Sequence, residues 1–184
     1  MNKIILLAIF LLFACEQKKV SPTIPKTVNN EQMSQLYEND QKDRTEDNID
    51  WDIVSKNDSL RLDEVIDLLE QQQLQTAQDF ERAAMIFQHG SDTFASKMAI
   101  QMMQKAINLD ATIDKWLLAA AIDRHLMKKR LPQIYGTQYR RTGANNTWEL
   151  YKIDTTKVSD AERKRYNVPT LLEQQNKLLE FNKK

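Results

Sequence analysis

One carboxylate narrows what this chain can fold into. The stretch ATIDKWLLAAAIDRHLMKKRLPQIYGTQY spans Ala111–Tyr139. Drawn as a helix over Ala111–Arg130 at about 100° per residue, it puts Leu118, Ala119, Ile122 and Leu126 on one face, a core-facing stripe. Asp123 then falls between Leu126 and Trp116, inside the apolar arc. Burying an acid without partners is expensive, so donors must reach it. Arg124 points about a quarter-turn away, as the helical period requires. The loop that follows is the better source, with Gln133, Tyr135, the Gly136 N–H, Thr137 and Gln138. Pro132 stops the helix near Leu131, and Lys128–Arg130 supplies the cations a helix C-terminus favours. Gly136 is one of three glycines, which points to a left-handed backbone or a close approach. Two roles fit the acid: a hydrogen-bond hub tying loop to helix, or the floor of a polar pocket.

Scarce glycine and only four prolines among 184 residues favour helix throughout. Formal net charge is zero and no dense basic stripe occurs, so nucleic acid is not an expected partner. With one cysteine and two histidines, neither an internal disulfide nor a zinc site is expected, and no cofactor is implied.

The amino terminus speaks to location. Lys3 precedes Ile4–Ala14, an apolar run of eleven residues. That is too short to span a bilayer and suits a signal-peptide core. The run ends in Leu12-Phe13-Ala14-Cys15, which resembles a bacterial lipobox. The resemblance implies cleavage before Cys15 and lipid on its sulfur, each acyl CH₂ contributing roughly 0.8 kcal/mol of membrane affinity. An ordinary cleaved signal peptide or a short anchor are the alternatives. The expected organisation is a leader over 1–14, a lipidated tether over 15–29 and one domain over 30–184. The expected place is the bacterial cell envelope, periplasmic or outer-membrane, with the membrane as partner through Cys15.

Along the domain, Asn30–Glu46 reads as a helix striped by Met33, Leu36 and Tyr37. Asp40 and Arg44 continue that stripe at helical spacing, as a surface ion pair or a ligand contact. Trp51–Val54 reads as a short extended segment, and Asn57 or Asp58 as the cap of a helix over Ser59–Leu74. Thr76 or Gln78 opens a third helix with Phe80, Ala83, Ala84 and Phe87 inward, stopped by a left-handed Gly90. Ser91 or Asp92 caps a fourth, reaching about Asn108, with Phe94, Met98 and Met102 on one face. Trp148–Asp154 alternates like a strand, paired with Gln138–Arg140. Ser159 with Glu162, and Thr170 with Glu173, are capping-box patterns for two closing helices. The expected fold is mainly α, a helical bundle of antiparallel helix hairpins with a small β-hairpin near the C-terminal third.

His89, in the last turn of the third helix, is either a dipole-complementing cap or a titrating base. The order Gln88-His89-Gly90, Asp123-Arg124, Pro132-Gln133-Ile134-Tyr135-Gly136-Thr137-Gln138 resembles an uncharacterised bacterial family known only as a domain of unknown function. The resemblance runs from about Asp58 to Pro169. It implies that His89, Asp123, Arg124, Tyr135 and Gln138 share one site, and it carries no activity, substrate or cofactor. Two functions follow from the sequence. The first is a non-catalytic, membrane-tethered module binding an unknown protein or polar small molecule, with Gln133, Tyr135, Thr137, Gln138, Asp40 and Arg44 as candidate contacts. The alternative is a cell-envelope hydrolase or transferase with His89 as general base, Asp123 orienting it and Arg124 holding an anionic group.

Overall fold

The computed structural model describes residues 28–45, 47–143 and 146–183. The leader, Cys15 and nearly all of the tether lie outside them. The described residues form α1 (Glu31–Lys42), α2 (Trp51–Glu70), α3 (Ala77–His89), α4 (Thr93–Leu109), α5 (Trp116–Lys128), β1 (Tyr139–Thr142), β2 (Thr147–Leu150), α6 (Asp160–Arg165) and α7 (Leu171–Phe181). This is the mainly helical bundle with one small antiparallel hairpin that the sequence implies. None of the described helices is long and apolar enough to cross a membrane.

Local chemistry sets most helix starts. Asn30, Thr76, Asp92, Ser159 and Thr170 each accept a backbone N–H from the first turn that follows them. Thr76–Asp79 and Thr170–Glu173 are reciprocal capping boxes, whereas Ser159 caps without a return bond from Glu162. Helices α1 to α5 share one core, in which Met33, Val65, Phe87, Ala99 and Met103 are buried. The alanines of α3 and α4 let their backbones approach. Gly90 tightens the turn between them, because a Cβ there would overlap the Cβ of Ala95.

Several expectations need correction. Trp51–Val54 is helical, because the Asp50 side chain accepts from Asp52 N (3.0 Å) and Ile53 N (3.2 Å) and starts α2 there. Val54 turns into the core while Trp51 and Ile53 face solvent, the split a helix makes of a short apolar run. Asp58 therefore sits within α2 and caps nothing. Gly90 has φ −59°, so its role is room and not a left-handed stop. Phe94 is 53% exposed and leaves the core to Ala95, Ala99 and Met103. Helix α5 is shorter than drawn, opening at Trp116 and yielding at Lys129 to a left-handed Arg130 (φ 60°).

In the C-terminal third, β1 and β2 pair Tyr139 with Leu150 and Thr142 with Thr147. An isolated bridge joins Gln133 to Ile153. Helix α7 closes over the hairpin: the Phe181 ring lies 5.9 Å from Tyr139 and 6.0 Å from Trp148. Asn182 bonds both the N–H and the carbonyl of Trp148 at 2.9 Å. A smaller apolar cluster of Ala119, Tyr135, Val158 and Val168 joins this third to α5.

Candidate functional site

Asp123 is fully buried, as its helix phase requires. Its partners are mostly backbone. Oδ1 accepts from Ile134 N (2.8 Å) and Tyr135 N (2.9 Å). Oδ2 accepts from Gly136 N (2.8 Å), Thr137 N (2.9 Å) and Thr137 Oγ1 (2.9 Å). Four successive amides can turn toward one carboxylate because Gly136 takes φ 92°. A Cβ on Gly136 would also collide with the Gln174 amide. The loop's carbonyls point the other way. Arg163 Nε donates to Tyr135 O (3.0 Å), Arg163 Nη2 to Ile134 O (2.9 Å), and Gln174 Nε2 to Tyr135 O (3.0 Å).

The loop glutamines are scaffold as well. Gln133 donates from Nε2 to the carbonyls of Gln138 (2.9 Å) and Tyr151 (2.8 Å), and accepts from Gln138 N at 2.8 Å. Gln138 Nε2 reaches Ala120 O (3.3 Å) and Thr137 Oγ1 (3.0 Å). The Tyr135 ring stacks on Tyr166 with centroids 5.0 Å apart. Burial, and then Tyr166, push the Tyr135 phenol's pKa well above its ordinary value. Every hydrogen-bonding atom of Asp123 is therefore used within the protein. The structure corrects both the pocket-floor role and the idea that Asp123 orients His89.

His89 meets a different acid. Its Nδ1 lies 2.9 Å from Oδ1 of Asp40, on α1 and 49 residues earlier. Asp40 is fully buried, and 19% of the His89 side chain is exposed. Among the described residues Nε2 has no hydrogen-bond partner, and it is not sealed from solvent. An ionised carboxylate only accepts, so Nδ1 carries a proton, and in the neutral ring Nε2 then holds the lone pair.

Asp40 belongs to a larger charged cluster. Arg44 Nη1 reaches Asp40 Oδ1 at 3.0 Å, and its Nη2 reaches Asp58 Oδ2 at 2.6 Å. Arg61 bonds Asp58 Oδ1 and Asp43 Oδ2, each at 2.8 Å, with its Nε 3.7 Å from Asp40 Oδ1. Gln41 Nε2 satisfies Asp40 Oδ2 at 2.8 Å. The Asn57 side chain, ahead of Arg61, holds Asp43 below the usual carboxylate range. Burial works to lower the Arg61 pKa, but its bonds to Asp58 and Asp43 outweigh that and raise it. Ligand atoms of Asp40, Asp58 and His89 lie within 4.8 Å of one another. Two guanidinium groups already occupy those carboxylates, so the donor set suits proton chemistry better than a cation.

Of the candidates read from sequence, the structure thus joins His89 to Asp40 and Arg44. It puts Asp123, Gln133, Tyr135, Thr137 and Gln138 in a separate structural knot. Arg124, about a quarter-turn round α5 from Asp123, makes no bond to it. Sequence reasoning passed over Asp58, Arg61 and Arg163, and over a second histidine. His125 Nδ1 lies 3.0 Å from Ser96 Oγ, but Ser96 is fully buried and bonds carbonyls of its own helix. That pair is a packing contact out of reach of a substrate.

The expectation of a non-catalytic binding module does not survive this geometry. An imidazole held at Nδ1 by a buried carboxylate, with Nε2 open, is how a general base is prepared. Comparison with protein-family models, curated proteins and solved structures finds no match to this chain.

Proposed function

We propose that this protein is a hydrolase or transferase in which His89, held by Asp40, is the general base. The observation that carries it is the 2.9 Å contact between His89 Nδ1 and the buried Asp40 Oδ1, with Nε2 open to solvent. Asp40 fixes the tautomer and stabilises the imidazolium that forms when Nε2 takes a proton. Arg44 bonds the same Asp40 oxygen, and the charge of Arg61 lies 3.7 Å from it. Among the described residues no side-chain hydroxyl or thiol bonds to Nε2, so its proton comes from a water or from a hydroxyl or amine of the substrate. A leader ending in the lipobox-like Leu12–Cys15 supports a lipid-anchored position in the bacterial cell envelope.

The test is a panel of carboxylic esters, phosphoesters, glycosides and peptides, offered to the wild type and to His89→Gln. One class is expected to turn over, with the variant slower by about 10²–10⁴, the usual worth of a general base. Its melting temperature should stay near that of the wild type. Wild-type rates in His89→Gln, or no turnover of any class, would overturn the reading.

A further inference from the structure

Among the described residues Arg124 is a cation without a counter-ion. Among the described residues no carboxylate oxygen lies within salt-bridge distance of its guanidinium, and no group accepts a hydrogen bond from it. Its Nε is buried and unpartnered. The charges that act on it are positive: burial first, and then Arg44, lower its pKa from the ordinary value. Lys128, one turn further along α5, is lowered by burial and then by Arg124 itself. Burying a charge in this way is costly unless something negative arrives.

The position of this cation matters as much as its isolation. Lys128 Nζ donates to the carbonyl of Gly90, the residue after His89. The face of α5 carrying Arg124 and Lys128 is therefore turned toward the end of α3 where His89 sits. Arg44, whose charge bears on Arg124, is the residue whose Nη1 lies 3.0 Å from the oxygen holding His89. Arg44 is thus the neighbour shared by Arg124 and the acid that holds His89.

We propose that Arg124 binds an oxyanion of the substrate, a carboxylate or a phosphate, beside the open Nε2 of His89. This rests on His89 and Asp40 being the reacting end of the site. The guanidinium fork matches two oxygens of such a group, and Lys128 adds charge at its edge. Holding the anion there sets the distance between the attacked bond and the base. The substrate is thus an acidic molecule, and a neutral analogue of the same size is a poor one.

The experiment uses the full chain in detergent micelles, with inorganic phosphate and acetate titrated against chloride at equal ionic strength. Calorimetry and melting temperature are the readouts. Phosphate or acetate is expected to bind saturably and raise the melting temperature above that in chloride, and the tighter of the two names the group. Arg124→Gln is expected to weaken that binding by about tenfold or more, the worth of one charge-assisted hydrogen bond. Arg124→Lys should recover part of it. In chloride alone, Arg124→Gln should melt no lower than the wild type, since no counter-ion is lost. The proposal is overturned if neither anion exceeds chloride, if Arg124→Gln binds as well, or if that variant melts far lower in chloride. Activity in the panel above, lost in His89→Gln, would then leave the base intact and remove only the anion. Anion binding through Arg124 with no activity would instead remove the base.

Discussion

Replacing Asp123 by asparagine tests the knot most directly. The carboxylate accepts five hydrogen bonds, two at Oδ1 and three at Oδ2. An amide keeps one accepting oxygen and turns an NH₂ toward the other set. Its better orientation saves the three donors at Oδ2 and strands the N–H groups of Ile134 and Tyr135. Each stranded buried donor costs about 1–3 kcal/mol, so two cost about 2–6 kcal/mol. A chain of this size loses about 2–4 °C of melting temperature per kcal/mol. The expected fall is therefore about 4–24 °C, read by circular dichroism and by the urea midpoint. Thr137→Val keeps the backbone amide and removes the hydroxyl's two bonds, to Asp123 and from Gln138, and a loss of about 1–3 kcal/mol calibrates the scale. A shift under about 2 °C in Asp123→Asn would show that the amides find water or other acceptors at little cost, and the argument would fail.

Arg163→Met strands the carbonyls of Ile134 and Val158, while Tyr135 O keeps Gln174, and should cost about 2–6 kcal/mol in urea unfolding. Gly90→Ala forces a methyl against Ala95 and Leu62, and should lower stability by about 1–3 kcal/mol without changing the His89–Asp40 contact. Alkali should act through Tyr135. Burial and then Tyr166 raise its pKa in the folded chain, so the fold binds that proton more tightly than the unfolded chain does. The stability it contributes is full below the unfolded value near 10 and is lost as pH climbs through the folded value. Tyr135→Phe should flatten that decline, followed by melting temperature and phenolate absorbance between neutral and strongly alkaline pH.

What could be read from the chain was local. Caps at Thr76, Asp92 and Thr170 act within one turn, so side-chain type and spacing reveal them. The burial of Asp123 followed from helix phase alone. Its partners followed only in part: the Gly136 N–H and Thr137 do donate as expected, but the amides of Ile134 and Tyr135 carry no sequence signal, and the side chains of Gln133, Tyr135 and Gln138, which looked like donors, instead brace the loop. Trp51–Val54 looked extended because four residues cannot display a 3.6-residue period. The pairing of His89 with Asp40 was hidden for another reason. The two lie 49 residues apart, on helices whose packing no spacing rule specifies. Only the local Asp40–Arg44 pair was visible, and it looked like surface.

The double grip on Ile134–Thr137 has a consequence for how the chain comes apart. Its amides belong to an acid of α5, and its carbonyls belong to Arg163 and Gln174 downstream. Detaching the C-terminal third exposes a guanidinium and two carbonyls, while withdrawing α5 exposes a carboxylate and four amides. Neither half can open without breaking the bonds of the other, so this irregular loop ties bundle and hairpin into a single cooperative unit.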